Sequence, residues 1–280
     1  MIALLVATLF SAAFGLVLRW AQQRRCNVFA VGLVNYVIAT LYQAAQLGMA
    51  GPLEQVTPVT VWLGAIVGVI YALNFGIFGP LIAKRGVAIT TAIVRLAVIV
   101  PIVGAIVLWR EAPLAIQYVG IALTLVAMPL ITLKPNVPGT IEGSAVPLLV
   151  AMFIGNGLSM LLFQAYENLS LPGEDALFLA CLFGAAMVVT AIAWRLRPKG
   201  SSRRDLFPGV VLGLTNALAN VALLESMHQL PGVIVFPFYS AVGLVIAVVA
   251  ARLLWGERIS RRETLGLGLA IIAVALVNIG

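Results

Sequence analysis

Ten apolar segments run through this chain, at about 2–18, 28–48, 59–82, 87–108, 114–133, 146–166, 176–194, 207–225, 232–254 and 264–279. Each holds about 17–24 residues, which at about 1.5 Å rise per residue covers a hydrocarbon layer of about 30 Å. Fifteen of the seventeen basic residues lie in every second gap or at its edge. The gaps after segments 1, 3, 5, 7 and 9 hold Arg19, Arg24 and Arg25; Lys84 and Arg85; Lys134; Arg195, Arg197, Lys199, Arg203 and Arg204; and Arg252, Arg258, Arg261 and Arg262. The alternate gaps hold Arg110 alone, yet carry Glu54, Glu111, Glu167, Glu174, Asp175 and Glu225. Basic residues in short loops stay on the cytoplasmic side. The odd-numbered loops are therefore expected in the cytoplasm. Ten crossings return the chain to its starting side, so both termini are expected outside a bacterial-type inner membrane.

A hydrophobic content of 62%, a charged content of 10% and a mean hydropathy of +1.10 exclude an ordinary soluble domain. The net charge of +7 would suggest nucleic acid in a soluble protein. Here it lies in membrane-flanking loops, so the expected partners are the lipid bilayer and a small-molecule substrate, with no nucleic acid. The gaps are too short for an extramembrane domain, which places function among the helices. Residues 2–18 lack the basic start of a secretory signal, their positive cluster following the apolar run, and read as a retained first helix. Cys26 in a loop and Cys181 inside the seventh segment fall at different levels, so no disulfide is expected. The chain shows no phosphate loop, metal-ligand cluster or nucleophile triad; no cofactor and no metal are expected, and an enzyme is disfavoured. His228, the single histidine, is expected to be solvated in an outer loop.

The chain repeats itself at a shift of 146 positions. Asn74 falls on Asn220, Gly86-Val87 on Gly232-Val233, and Leu108-Trp109-Arg110-Glu111 on Leu254-Trp255-Gly256-Glu257. Gly120 falls on Gly266, Leu123 on Leu269 and Ala127 on Ala273. Leu and Ala coincidences are cheap in an apolar chain; an Asn and a Trp-x-Glu triplet are not. The repeat unit is five helices: 1–135, a linker at 136–145, and 146–280. Five is odd, so the second repeat enters the membrane inverted. Inverted repeats are a transporter architecture, with substrate bound near the midplane between halves that rock to alternate access.

The stretch from Gly86 through Pro101 to Leu108-Trp109-Arg110-Glu111, with Gly120 opening the next helix, has its partner in Pro231 to Pro237, Leu254-Trp255-Gly256-Glu257 and Gly266. Together they resemble the drug/metabolite transporter superfamily, in particular its ten-helix EamA-type permeases; Asn35-Tyr36 also looks like a sub-branch of these. The resemblance covers essentially the whole chain. It implies a basket of ten helices around a central cavity and movement of small metabolites, without fixing a substrate. Many members are thought to keep both termini in the cytoplasm, and the loop charges here point the other way.

Among candidate site residues Arg95 is the outlier, about eight residues into the fourth segment and about 12 Å deep by helical rise. A charge at the bilayer centre costs about 2.5–3.5 kcal/mol on insertion scales, and every acidic residue lies at a segment end or in a loop. Arg95 therefore either meets an anionic substrate group or ties helix carbonyls together. Asn74 and Asn220, paired by the repeat, line a polar cavity or bond across helices. Asn35 and Tyr36 on the second segment, Asn216 one turn before Asn220, and Tyr239 and Ser240 beyond Pro237 complete the cavity candidates. Pro237 and Pro101 each remove a backbone donor. Gly64 and Gly68, and Gly209, Gly213 and Ala217, form small faces for close helix approach. Glu111 and Glu257 are expected to cap the next helix's positive end. The reading is a secondary transporter of small organic solutes, anionic or zwitterionic ones included. A flippase for lipid or lipid-linked substrates and a non-transporting membrane scaffold are the alternatives.

Overall fold

A backbone in hydrocarbon finds no water, so its polar groups must pair within each segment. The structure, a computed structural model, describes residues 1–50, 56–132, 146–196, 202–256 and 260–279. Among these, all regular structure is helical: α1 (Ile2–Gln23), α2 (Val28–Ala50), α3 (Pro58–Leu96), α4 (Ile99–Leu108), α5 (Ala115–Thr132), α6 (Val146–Leu169), α7 (Asp175–Leu196), α8 (Leu206–Gln229), α9 (Gly232–Trp255) and α10 (Arg261–Val277), with a 3-10 turn at Arg203–Asp205. Seven of the described helices are long and apolar enough to cross a membrane; Ile93–Leu108 and Ala115–Ile131 are shorter apolar stretches. Side chains such as Trp62 (69% exposed) and Leu253 (77%) face outward, as a lipid-facing surface requires and a water-facing one does not. The chain is a multi-pass membrane protein.

The helix starts show why the segments begin where they do. Asn27 caps α2, its Oδ1 accepting from the backbone N–H of Phe29 (3.0 Å) and Ala30 (3.4 Å). Pro58 opens α3, where a missing N–H costs nothing, and the Glu174 carboxylate accepts from the Thr57 amide and the Thr60 hydroxyl beside it. Ser260 and Glu263 form a reciprocal capping box on α10. Gly256 ends α9 at φ 65°, a left-handed cap that favours glycine.

The third and fourth segments are divided differently from the expectation of 59–82 and 87–108. One helix, α3, continues from Pro58 to Leu96, and the interruption falls at Ala97-Val98. The cause is Pro101. It offers no N–H to the carbonyl four residues back, Ala97 O, which instead accepts from Val100 N at 3.1 Å, a tighter i→i−3 bond. Neither Pro80 nor the basic pair Lys84-Arg85 ends α3, which runs through all three positions. The side chains of 82–92, Glu54, Lys134 and Glu257 lie outside the described residues.

Two compact units are assembled from interleaved parts of the chain. The first unit comprises residues 2–76 and 162–228, the second Met1, 77–161 and 229–280. In the first, α2 lies along α7. Gly64 of α3 meets the Phe178 carbonyl of α7, where an added Cβ would stand 2.6 Å away; Gly213 of α8 meets the Asn35 carbonyl of α2, with 2.7 Å for the same atom. The small-residue faces are thus helix–helix contacts at backbone distance. Phe163, Tyr166 and Phe178 form its aromatic core, with Phe178 stacked on Tyr166 (4.0 Å) and edge-on to Phe163 (5.2 Å).

In the second unit α5 lies along α10. Gly120 meets Ala273 O and Val277, and Gly266 meets Ala127 O and Ile131. The two contacts exchange under the shift of 146 found in the sequence, since 120, 127 and 131 become 266, 273 and 277. Such reciprocity is the mark of an isologous, twofold contact.

Candidate substrate-binding residues

In the first unit, three helices bring one tyrosine and three asparagines into one hydrogen-bonded ladder. The Tyr71 hydroxyl on α3 donates to Asn220 Oδ1 on α8 at 3.1 Å. Asn220 Nδ2 donates to Asn216 Oδ1 (2.9 Å) and to the Asn216 carbonyl (2.8 Å). Asn216 Nδ2 donates to Asn35 Oδ1 on α2 at 3.3 Å. Every amide oxygen in the ladder accepts, so each amide's orientation is set by the bond before it. The last donor, Asn35 Nδ2, is buried and has no partner among the described residues. A buried unsatisfied donor costs about 1–3 kcal/mol, and this one asks for an acceptor oxygen.

Asn35, Asn216 and Asn220 are therefore brought together. Asn74 is half-buried one turn along α3 from Tyr71 and joins none of these bonds among the described residues. Tyr36 turns away from the ladder, edge-on to Phe75 with centroids 6.1 Å apart. Tyr71 was not a sequence candidate. Its repeat partner is Ala217, so the duplication carries no signal for it; only its i,i+3 spacing from Asn74 places it on a polar face.

The second unit holds Arg95, Tyr239 and Ser240. Arg95 is half-buried in the last turn of α3, two residues before the break, rather than midway along an unbroken helix. A cation is favoured there because the final carbonyls carry the negative end of the helix dipole. Tyr239 on α9 is its electrostatic neighbour, and among the described residues no carboxylate pairs with it. Ser240 beside Tyr239 is buried. Gly157 of α6 meets Val100 and Ala97 O, bringing a helix backbone against the break itself. Pro237 sits inside α9 without ending it.

Charged groups beyond the apolar segments tie helix ends. Glu111 accepts from the amides of Gly232 (3.2 Å) and Val233 (2.9 Å), capping α9 rather than the next helix in sequence, α5. His228 belongs to the last turn of α8 and is not simply solvated. Its Nδ1 lies 2.8 Å from Glu167 Oε1 and its Nε2 2.8 Å from Asp175 Oδ2. Asp175 Oδ1 accepts from the Tyr166 hydroxyl at 2.7 Å. Partial burial works against the imidazolium, but the bonds and charges of Asp175 and Glu167 outweigh it and push His228 up to about 8. Burial alone would raise Glu174; hydrogen bonds from Thr60, Thr57 and Leu171 hold its carboxyl below the usual range.

Residues 143–279 match the model of the EamA-like transporter family. A solved structure, described only as the crystal structure of a protein, is similar at a TM-score of 0.80, over 99% of this chain and 95% of its own, with 13% sequence identity. At that identity the likeness is one of fold. No curated protein matches the sequence.

Proposed function

The chain belongs to the EamA-like transporter family through residues 143–279, and on that premise we propose that it is a secondary transporter of small organic solutes bearing carboxylate or other oxygen acceptors. It works by alternating access between two inverted five-helix repeats, 1–135 and 146–280, in a bacterial-type inner membrane. The observation that carries the substrate class is the ladder that runs from Tyr71 to Asn35 and ends on an unpartnered buried amide donor. Arg95 supplies a second donor-rich centre, at a helix break of the kind that lines transporter cavities. Its planar fork suits a carboxylate. Support for the repeat reading comes from the reciprocal α5–α10 contact, and from each compact unit drawing on both halves of the chain.

Metabolite profiling of medium and cytosol, with and without overexpression, identifies the solute. Transport of that solute by Arg95→Gln and Asn35→Leu, at equal membrane abundance, then tests the two centres. Both are expected to lose at least about tenfold, the factor that about 1.4 kcal/mol of lost binding gives. Arg95→Lys, which keeps the charge without the fork, should fall between Arg95→Gln and the unaltered chain. Normal transport by Arg95→Gln, or a cationic solute, would sink the assignment of Arg95.

A further inference from the structure

We propose that the arginine-bearing end of the first unit holds the phosphate headgroup of an anionic membrane phospholipid. A cavity of about 320 Å³ opens there, walled by Ala30, Leu33 and Val34 of α2, Trp194 of α7, and the turn from Ser202 to Leu206 that leads into α8. Ligand sites range over about 300–1,000 Å³, so this one suits a headgroup rather than a whole lipid.

Three observations point to that occupant. The first is charge. Arg24, Arg25, Arg195, Arg203 and Arg204 are all exposed at this end, with Arg203 in the cavity wall. The acid in the wall, Asp205, is already engaged: its Oδ1 accepts from Asn27 N (3.0 Å) and its Oδ2 from Ser202 N (2.8 Å). The arginines therefore stand in excess, as basic pockets for lipid headgroups require. The second is an unmet donor. The Trp194 indole N–H is buried without a hydrogen-bond partner among the described residues, and an indole can only donate. A phosphate or ester oxygen would satisfy it. The third is the apolar rim. Leu206 (52% exposed) lines the cavity, and the exposed Leu196 (77%) and Phe207 (67%), close in sequence to its wall residues Trp194 and Leu206, give acyl chains a surface to follow. Phe207 is itself fixed edge-on to Trp20 at 5.9 Å, and the Arg24 guanidinium lies 4.6 Å above that Trp20 ring. Charged group and apolar surface are thus held side by side, which is how a phospholipid presents its own two parts. The inference rests on the first unit alone and stands apart from the transport reading.

The test uses the full chain in nanodiscs of equal phosphatidylglycerol and phosphatidylcholine, followed by native mass spectrometry of retained lipid. The unaltered protein should retain phosphatidylglycerol preferentially. Arg203→Gln should lower that preference about fivefold, the equivalent of about 1 kcal/mol per basic contact at a membrane surface. Trp194→Phe keeps the ring, removes the N–H and should lower it as well. Arg110→Gln removes a charge far from the cavity in sequence and should leave it unchanged. Equal retention of the two lipids by the unaltered chain would overturn the proposal whatever the variants do. So would an Arg110→Gln loss as large as that of Arg203→Gln, which would mean bulk electrostatics, or displacement of the lipid by glycerol 3-phosphate at equal concentration, which would mean a site for a free phosphate solute.

Discussion

His228 has a carboxylate oxygen at 2.8 Å on each ring nitrogen. Carboxylates only accept, and a neutral imidazole has one N–H, so only the imidazolium satisfies both. The residue thereby joins the ends of α6, α7 and α8, and the charges that face it are Glu167 and Asp175, the latter also bonded by Tyr166. The pH dependence follows from the sign of the shift. Its folded value, about 8, lies above the ordinary 6.5. The protonated cluster's stabilising contribution is therefore full below about 6.5 and is lost as pH rises through about 8. Thermal unfolding in detergent should show a midpoint that falls over that window, and His228→Gln should flatten the fall. An unchanged profile in His228→Gln would mean that another group titrates. Sequence alone could not show this cluster, because its three residues are brought together from positions 167, 175 and 228. Spacing made His228 look like a loop residue, whereas the helix extends one turn past the apolar segment.

At the scale of the element, what was legible is what local physics decides. Apolar length located most of the helices, and small-residue spacing marked the faces of α3 and α8 that approach α7 and α2. What was not legible depends on competition between local signals. Pro80, the basic pair at 84–85 and Pro101 all favour an interruption, and only at Pro101 does the helix break, where the Ala97 carbonyl turns to Val100 N instead. Charge alone leaves the helical bonds intact. Likewise Glu111 reads as a cap from its position, but which helix it caps is a tertiary fact. The α5–α10 contact offers a direct test of the duplication at this scale. A Cβ on Gly120 would stand 2.9 Å from Ala273 O, and one on Gly266 3.1 Å from Ala127 O. Gly120→Leu and Gly266→Leu should each destabilise by about 1–3 kcal/mol through overpacking. Reciprocity requires the two penalties to be similar, as read by denaturant unfolding in mixed micelles. A large penalty at one site with none at the other would count against a symmetric contact.

For the whole molecule the question is which side of the membrane each loop occupies. Number the gaps between the ten apolar segments in order. Within the first unit, Asn27 in gap one is bonded to Asp205 in gap seven, Glu174 in gap six to Thr57 in gap two, and His228 in gap eight to Glu167 and Asp175 in gap six. Within the second, Glu111 in gap four is bonded to Gly232 at the edge of gap eight. Odd meets odd and even meets even. That parity is what alternating sides would give for gaps one, two, four, six, seven and eight, and it comes from hydrogen bonds rather than from charge; gap three lies within the unbroken α3. Charge adds a separate expectation: fifteen of seventeen basic residues lie in odd gaps or at their edges, which predicts those gaps in the cytoplasm. Parity relates loops within each unit, and charge predicts the side they occupy. Together they predict both termini outside. A fluorescent protein that matures only in the cytoplasm, fused after Gly280, should stay dark, and an alkaline phosphatase at the same point, active only outside, should be active. The same pair of reporters inserted between Arg24 and Arg25, in the first odd gap, should give the reverse pattern. Cytoplasmic fluorescence from the Gly280 fusion with phosphatase activity in the first gap would invert the orientation while leaving an odd number of crossings between the two positions. Equal signals at both positions would sink the ten-crossing reading itself.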